Sequence, residues 1–314
     1  MALTLLENEP LAKYTAWRIG GPARFFANAT APDQLSEALA WAREHGLPVF
    51  ILGGGTNLLV RDAGFAGLVL RYRAQDLRVE ADGDQGRAWI AAGAPMAGTA
   101  RRLAGQGWGG LQWAEGLPGT IGGAVYGNAG CYGGDIAGTL ARAWLLTNGA
   151  IEEWPVERLG YAYRTSALKQ TSDHQPATSD QASHPPLVVR RSSVVGPIVV
   201  AAEFKVYRAD PRDLAAQMER TAAERKSKTP VGSSCGSVFK NPAGDSAGRL
   251  VEAAGLKGTR AGAAEIAWKH ANYIVNRGGA SSEDVLRLIG MARERVFREF
   301  GVELELEVQI VGEG

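Results

Sequence analysis

The spacing of apolar residues predicts a succession of short strands and amphipathic helices. Leu35, Leu39 and Ala42 recur at helical spacing within residues 32–45, and Pro32 suits a first helical turn. The apolar run at residues 48–52 predicts a buried strand. Further strands are predicted at residues 67–71, 77–81, 88–92, 140–146, 151–154 and 197–207, and further helices at 95–104, 214–226, 246–254 and 281–300. The turn at residues 82–84 predicts a hairpin of the second and third of these strands, and Asn148–Gly149 predicts a hairpin of the fourth and fifth.

The end of the chain carries two local signals. Ser281 and Asp284 stand at the spacing of a capping box at the start of the last predicted helix. Residues 302–311 (VELELEVQIV) alternate between apolar and polar side chains, which predicts an amphipathic strand. Glu303, Glu305 and Glu307 share one face of that strand, so spacing alone does not distinguish them.

Two glycine-rich segments interrupt this pattern. Residues 113–135 contain eight glycines, and residues 53–57 read GGGTN directly after a predicted strand. Glycine loses much backbone freedom in regular structure, so this density predicts loops rather than a helix or a sheet. Bare amides can approach a ligand closely, and those of residues 53–57 suit a phosphate. The alternative for residues 113–135 is a glycine-rich surface loop, and the alternative for residues 53–57 is a simple turn between two strands.

Composition narrows the class of protein. The chain has 314 residues, 45% of them hydrophobic, which suffices for two or three domains. A net charge of +1 gives no reason to expect a nucleic-acid partner. Cys131 and Cys235 lack metal-site spacing, so we expect no disulfide and no metal. The sequence has no signal peptide and no membrane-spanning run, which predicts a cytoplasmic protein. Residues 170–186 lack Leu, Ile, Val and Phe and predict a mobile surface insert.

Six motifs, in one order, resemble those of the UDP-N-acetylenolpyruvoylglucosamine reductase (MurB) family, in its shorter form. They are ILGGGTNLLV from Ile51, GLPGTIGGAVYGNAGCYG from Gly116, YRTSALK from Tyr163, CGSVFKNP from Cys235, KHANYIVN from Lys269 and LEV from Leu306. The resemblance implies an α+β fold, in which a two-subdomain FAD-binding module of the vanillyl-alcohol oxidase (PCMH) type precedes a C-terminal α+β substrate-binding domain. The implied boundaries are residues 1–72, 73–208 and 209–314.

The same resemblance implies non-covalent FAD as cofactor, NADPH as reductant and UDP-N-acetylglucosamine enolpyruvate as substrate, with no membrane partner. It assigns the cofactor to residues of the two glycine-rich segments. These are Gly53, Gly54, Gly55, Thr56, Asn57, Pro118, Gly119, Gly123, Tyr126 and Gly130.

The implied reaction reduces an enol ether, so negative charge must be stabilised and a proton delivered. The resemblance implies that Ser237 donates the proton, and that Arg164 and Glu307 act on the substrate carboxylate. Residue type alone favours a turn serine at Ser237 and a surface arginine at Arg164, and only the resemblance reverses this interpretation.

Tyr163, Lys228 and Asn241 match substrate-contacting positions of the family. Without the resemblance, the basic helix end that includes Lys228 could be a solvated face or a phosphate site. His270 and Asn272 fall in a family motif, and we expect a structural role for both. The sequence departs from the family at two places. Gln309 stands where some members have an arginine, and the insert of residues 170–186 is longer than the usual turn of the family.

Two other functions fit parts of this pattern. An FAD-dependent alcohol or hydroxy-acid oxidase or dehydrogenase would share the fold, but such relatives often attach flavin through a histidine. The sequence has none between His45 and His174. A non-catalytic FAD- or nucleotide-binding module would not need Ser237, Arg164 and Glu307.

Overall fold

The computed structural model describes residues 4–170, 189–190 and 196–312, and it has the predicted α+β architecture. The strands are Leu5–Pro10 (β1), Pro22–Ala29 (β2), Val49–Leu52 (β3), Leu58–Val60 (β4), Phe65–Tyr72 (β5), Leu77–Asp82 (β6), Gln85–Ala91 (β7), Trp108–Gly109 (β8), Gly130–Cys131 (β9), Gly134–Asp135 (β10), Leu140–Thr147 (β11), Ala150–Pro155 (β12), Val189–Arg190 (β13), Ile198–Arg208 (β14), Arg260–Ala261 (β15), Ala264–Ile266 (β16), Ile274–Asn276 (β17) and Gln309–Val311 (β18). The α-helices are Pro32–Glu44 (α1), Met96–Gly105 (α2), Ile121–Gly127 (α3), Ile136–Thr139 (α4), Ala167–Gln170 (α5), Pro211–Lys228 (α6), Ala247–Ala253 (α7) and Ser282–Phe300 (α8). The predicted insert lies, from residue 171 onward, outside the described residues.

A four-stranded sheet, in the order β1-β2-β5-β3, forms the first part of the predicted FAD-binding module of residues 1–208, which is called the cofactor module below. Strands β2, β5 and β3 are parallel, and β1 is antiparallel to β2. Helix α1 connects β2 to β3 and buries Leu35, Ala38 and Ala42, which confirms the predicted helical face. Since β3 ends at Leu52, the residues that follow emerge at the carboxyl edge of the parallel strands.

An antiparallel sheet forms the second part, in the order β12-β11-β14-β7-β6. Both predicted hairpins are confirmed, β6 with β7 and β11 with β12. The second hairpin turns through Asn148 and Gly149, whose φ angles of 50° and 84° are those that a tight two-residue hairpin turn requires. Helix α3 packs against β14 of this sheet.

Helix α3 corrects a prediction, because it lies inside the segment that glycine content predicted to be a loop. The side chain of Thr120 caps it by accepting a hydrogen bond from the Gly123 amide at 3.3 Å. Ile121 and Val125 are fully buried, and this packing outweighs a propensity cost of about 1 kcal/mol per glycine. A Cβ at Gly122 would lie 3.0 Å from the Cβ of Ala92, the residue that follows β7, so close packing at the end of this strand also favours glycine there.

In the C-terminal domain α8 packs against the small sheet β15-β16-β17, and α7 packs against α8. The predicted capping box is present, since Ser281 and Asp284 exchange hydrogen bonds across the first turn of α8. Helix α6 belongs elsewhere, because it packs on α2 and buries Leu214 and Met218 in the core of the cofactor module. Within the described residues, no helix combines the length and apolarity needed to cross a membrane.

Both chain ends tie the cofactor module to the C-terminal domain. Strand β18 pairs in parallel with β4 of the module. Trp17 lies in the C-terminal core and donates its indole N–H to the Ile274 carbonyl at 2.6 Å. The prediction of one strand over residues 302–311 is therefore only partly right: β18 covers three residues, and Leu306 forms an isolated bridge with Phe239. The residues before β18 pair with a different segment, which interrupts the strand.

Candidate active site

A cavity of about 610 Å³ lies between the cofactor module and the C-terminal domain. Its walls combine both glycine-rich segments with Arg164, Ser237 and Glu307. All ten residues predicted to bind the cofactor line this cavity, so residues 65 positions apart in sequence share one site.

The two glycine-rich segments touch each other in the wall of the cavity. A Cβ on Gly54 would lie 2.6 Å from the Gly119 Cα, which is closer than real Cβ contacts. At Gly55, where φ is +62°, a Cβ would lie 1.8 Å from the Tyr14 carbonyl oxygen. Close backbone approach was the predicted role of these glycines, and part of that approach is between loops of the protein itself.

The same segments offer unpaired backbone donors. Within the described ranges, the amides of Gly54, Gly55, Thr56, Gly119 and Thr120 donate to no protein acceptor. A wall with several free amides and few side chains suits an anionic diphosphate, since such groups accept hydrogen bonds from successive backbone N–H groups. The residues present therefore fit a dinucleotide cofactor such as FAD.

Asn57 has a different role in the geometry from the glycines before it. Its side-chain amide donates to the Glu307 carbonyl at 2.9 Å, and its own carbonyl accepts from the Gln309 amide at 3.0 Å. The end of the first glycine-rich segment is thus tied to the residues around Glu307. Gln309 itself lines the cavity.

Arg164 and Glu307 form an ion pair in the cavity wall. Arg164 Nε lies 2.8 Å from Glu307 Oε1, but the N–H is not aligned as a hydrogen bond. Arg164 also donates through Nη1 to the Gly130 carbonyl at 3.1 Å. Its backbone is left-handed, with φ of 57°, and its carbonyl accepts from Lys169 Nζ at 2.5 Å. A non-glycine residue in this conformation carries strain, which often accompanies a functional site.

Burial raises the pKa of Glu307, and the nearby charges of Arg164, Lys169 and Lys240 offset this only in part. A glutamate with a raised pKa holds a proton more readily than an exposed one does. The pair therefore combines a permanent cation with a carboxyl group that can act as a hydrogen-bond donor.

The other two glutamates on the predicted face lie apart from the cavity. Glu305 pairs with Lys240 at 3.0 Å, and Glu303 lies 3.5 Å from Arg293. Both side chains are exposed. Spacing left three equivalent candidates, whereas the structure places only Glu307 of these three in the cavity wall.

Ser237 lines the cavity on a segment that pairs with the residues around Glu307. The Val238 carbonyl accepts from the Glu307 amide at 2.8 Å, and Phe239 bridges Leu306. Ser237 makes no hydrogen bond to any described residue. Its hydroxyl is therefore available to a ligand, while the pairing keeps it beside Glu307.

Two of the predicted substrate residues lie outside the cavity wall. Tyr163 is 56% exposed, although it directly precedes Arg164. The Asn241 side chain accepts from the Ala247 amide at 3.1 Å, at the start of α7. Lys228 does line the cavity, but its ammonium pairs with Glu224 at 2.5 Å.

Several cavity residues carried no sequence signal that selected them. Arg225 lines the cavity, and in the described part of the chain its side chain forms neither an ion pair nor a hydrogen bond. The basic end of α6 was the available signal, but it did not distinguish Arg225 from Lys226 and Lys228. His270 also lines the cavity, and burial lowers its pKa. No group of three or more potential metal ligands occurs among the described residues.

Known proteins resemble this chain over its whole length. Residues 23–145 match the FAD binding domain family, and residues 227–311 match the family of the UDP-N-acetylenolpyruvoylglucosamine reductase C-terminal domain. The UDP-N-acetylenolpyruvoylglucosamine reductase of Chloroflexus aggregans is 54% identical over 312 residues, which cover 99% of each chain. The chain belongs to the UDP-N-acetylenolpyruvoylglucosamine reductase family.

Further relatives agree with this membership. The reductase of Rubrobacter xylanophilus is 43% identical over 307 residues, which cover 98% of this chain and 95% of the relative. The crystal structure of the MurB reductase from Thermus caldophilus superimposes with a TM-score of 0.76 at 31% identity, over 99% of this chain and all of that one. The predicted fold class is confirmed, and the chain is a flavin-dependent oxidoreductase. The C-terminal match begins at the end of α6, in agreement with the packing of that helix on the cofactor module.

Proposed function

We propose that this chain reduces UDP-N-acetylglucosamine enolpyruvate to UDP-N-acetylmuramate, with NADPH as reductant and non-covalently bound FAD as hydride carrier. The reaction would supply a peptidoglycan precursor in the cytoplasm. One observation carries the proposal: a single cavity is lined by Ser237, by the Arg164–Glu307 pair and by the amides of the glycine-rich segments. This combination provides a proton donor, a carboxylate site and a dinucleotide site within reach of one another.

The cofactor would occupy the side of the cavity formed by the cofactor module. The free amides between Gly54 and Thr56, with those of Gly119 and Thr120, would hold its diphosphate, and Tyr126 would line its path. When bound, FAD would take a hydride from NADPH and pass it to the enolpyruvyl double bond. Everything else in the reaction depends on side chains of the chain itself.

Arg164 and Glu307 would bind the carboxylate of the enolpyruvyl group. Hydride addition at C3 of that group leaves negative charge at C2, in conjugation with the carboxylate. The Arg164 guanidinium stabilises this charge, and a protonated Glu307 donates a hydrogen bond to it. The raised pKa of Glu307 supports this role, because an ionised glutamate would repel the developing charge.

Ser237 would complete the reaction by transferring its hydroxyl proton to C2. An unassisted hydroxyl is a weak acid, but a carbanion is a strong enough base to take its proton. The absence of a hydrogen bond from Ser237 to any described residue leaves the hydroxyl free to turn toward the substrate. The position beside Glu307 puts proton transfer next to the site of charge stabilisation.

The nucleotide part of the substrate would lie toward the end of α6. Lys228 is the proposed phosphate contact, and the unpaired Arg225 in the same part of the wall adds a second cation. Tyr163 and Asn241 are proposed to reach the substrate from outside the cavity wall, where both are exposed. Substrate binding at Lys228 would have to displace or share its pairing with Glu224.

Anaerobic stopped-flow absorbance of the flavin band tests the proposal. We expect NADPH to bleach the band and UDP-N-acetylglucosamine enolpyruvate to restore it. Bleaching without recovery would contradict the proposed substrate and would favour the alcohol- or hydroxy-acid-oxidising alternative. No bleaching by NADPH would contradict the proposed reductant.

A second experiment tests how the cofactor is held. His270 is the cavity-lining histidine among the described residues, and its Nδ1 already accepts from the Asn272 amide at 3.3 Å. We therefore expect denaturation to release all flavin, and yellow colour on the unfolded chain would contradict non-covalent binding.

A third experiment tests the glycine-rich wall. Gly54→Ala should weaken FAD binding, because the added Cβ would lie 2.6 Å from the Gly119 Cα. Gly105→Ala is the matched control, because its Cβ meets no atom within 4 Å.

A further inference from the structure

Asn272 holds the segment that carries Ser237. Its side chain pairs with both backbone groups of Phe239, accepting from the amide at 2.9 Å and donating to the carbonyl at 2.8 Å. Its own carbonyl accepts from the Val238 amide at 2.9 Å. Three hydrogen bonds thus fix the two residues that follow Ser237. Asn272 is only 3% exposed, so water does not replace these bonds.

Asn272 binds one edge of the extended segment of residues 238–240, and the residues around Glu307 bind its other edge. On the other edge, the Lys240 amide donates to the Glu305 carbonyl at 2.9 Å, and the Glu307 amide donates to Val238. The side chain of Asn272 therefore takes the place that a neighbouring strand would have. Since Ser237 itself makes no hydrogen bond to a described residue, its position depends on this edge.

The backbone of Asn272 is in turn held by His270. The Asn272 backbone N–H donates to His270 Nδ1 at 3.3 Å, and burial lowers the pKa of His270, which favours the neutral ring that can accept this bond. A structural role alone was expected of both residues. The hydrogen bonds of Asn272 to Val238 and Phe239 also connect it to Ser237, the proposed proton donor, because they hold the two residues that follow Ser237.

We propose that Asn272 is a positioning residue for Ser237, and that it sets the rate at which the reduced enzyme protonates its substrate. This inference rests on the proposed function. Asn272 does not line the cavity, so the effect would pass through Val238 and Phe239. A displacement of about 1 Å in a reacting group can lower a rate by roughly 100-fold.

The test compares Asn272→Asp, Ser237→Ala and the double variant by anaerobic stopped flow. Asn272→Asp keeps the side-chain volume but removes the donor to the Phe239 carbonyl. We expect bleaching by NADPH to stay within about twofold of wild type, and re-oxidation by UDP-N-acetylglucosamine enolpyruvate to slow roughly 10- to 100-fold. The double variant should be no slower than Ser237→Ala, because Asn272 acts only through Ser237.

Asn276→Asp is the matched control. Asn276 lies in the same domain and its side chain also bonds only backbone groups, donating to the Trp17 carbonyl at 2.9 Å. We expect this variant to lower the melting temperature without slowing re-oxidation. If Asn272→Asp does not yield folded protein, Asn272→Ser, which keeps a hydroxyl for one of the Phe239 groups, replaces it in the same comparison.

Two results would overturn the inference. One is a folded Asn272 variant that re-oxidises at the wild-type rate. The other is a double variant in which the two losses multiply, since independent effects would mean that Asn272 does not act through Ser237. Failure of the proposed function is separate, because wild-type enzyme itself would then not be re-oxidised by this substrate.

Discussion

One buried and one partly buried glutamate of this molecule, Glu265 and Glu307, have opposite electrostatic environments. Glu265, on β16, is 1% exposed and receives hydrogen bonds from Arg277 at 2.5 Å and Arg260 at 2.7 Å. The bond from Arg277 is the main cause that lowers its pKa. Glu307 lies in the cavity wall beside one imperfectly aligned arginine, and burial raises its pKa.

The difference distinguishes a structural carboxylate from one available for chemistry. Glu265 is satisfied by two guanidinium groups and stays ionised, which joins three adjacent segments of the C-terminal sheet. Glu307 has hydrogen-bonding capacity left for a ligand. Burial of a carboxylate does not by itself indicate function, whereas a carboxylate that lines a cavity with hydrogen-bonding capacity left over does.

The largest effect that separates the two glutamates should come from Glu307→Ala. We expect re-oxidation of the reduced flavin by the enolpyruvyl substrate to slow by about 10²- to 10³-fold, because a hydrogen-bond donor to the negative charge that develops on the substrate is lost. Bleaching by NADPH and the free energy of unfolding should change little. Glu303→Ala, on an exposed side chain near Arg293, is the control, and an equal loss there would refute the selection of Glu307.

The next effect concerns the partner of Glu307. Arg164→Lys keeps the charge but loses the planar fork of donors, so we expect re-oxidation to slow by about 10- to 100-fold. The KM for the enolpyruvyl substrate should rise as well. Arg158→Lys, at an exposed pair with Glu152, is the matched control. Wild-type rates in Arg164→Lys would show that bidentate geometry is unimportant.

Glu265→Gln should affect stability and not catalysis. Losing charged hydrogen bonds to Arg260 and Arg277 should lower the free energy of unfolding by about 2 kcal/mol, measured by urea denaturation. Turnover per bound flavin should be unchanged. Glu153→Gln, at an exposed pair with Arg142, should cost at most about 1 kcal/mol. A change in turnover of folded Glu265→Gln would remove the contrast between the two sites.

The smallest effect is a pH dependence of stability. The folded pKa of Glu307 lies above its ordinary value of 4.5, so the contribution of this one group to stability is fully present below that value and is lost as pH rises through the folded pKa. Glu307→Gln removes this titration. We expect the variant to gain stability over wild type as pH rises from 4.5, in thermal unfolding followed across pH. A constant difference at all pH values would contradict the raised pKa.

The sequence by itself determined the features that are local in the chain. The apolar spacing of α1, the capping box of α8 and the turn at Asn148–Gly149 depend on neighbouring residues, and the structure has them as predicted. The ten residues that the family resemblance assigned to the cofactor also line the cavity, and the glycine density of their two segments had independently predicted close backbone approach. The motifs further identified the family, which the relatives confirm.

Tertiary structure alone decided the rest. Packing against Ala92 and the buried sheet made a helix of a glycine-rich segment that propensity predicted to be a loop. Long-range pairing between residues around Phe239 and Leu306 interrupted the last strand and separated Glu307 from Glu305. The raised pKa of Glu307 and the hydrogen bonds between Asn272 and Phe239 arise from groups far apart in the chain. Burial and hydrogen-bond geometry depend on the whole fold, so no local pattern encodes them.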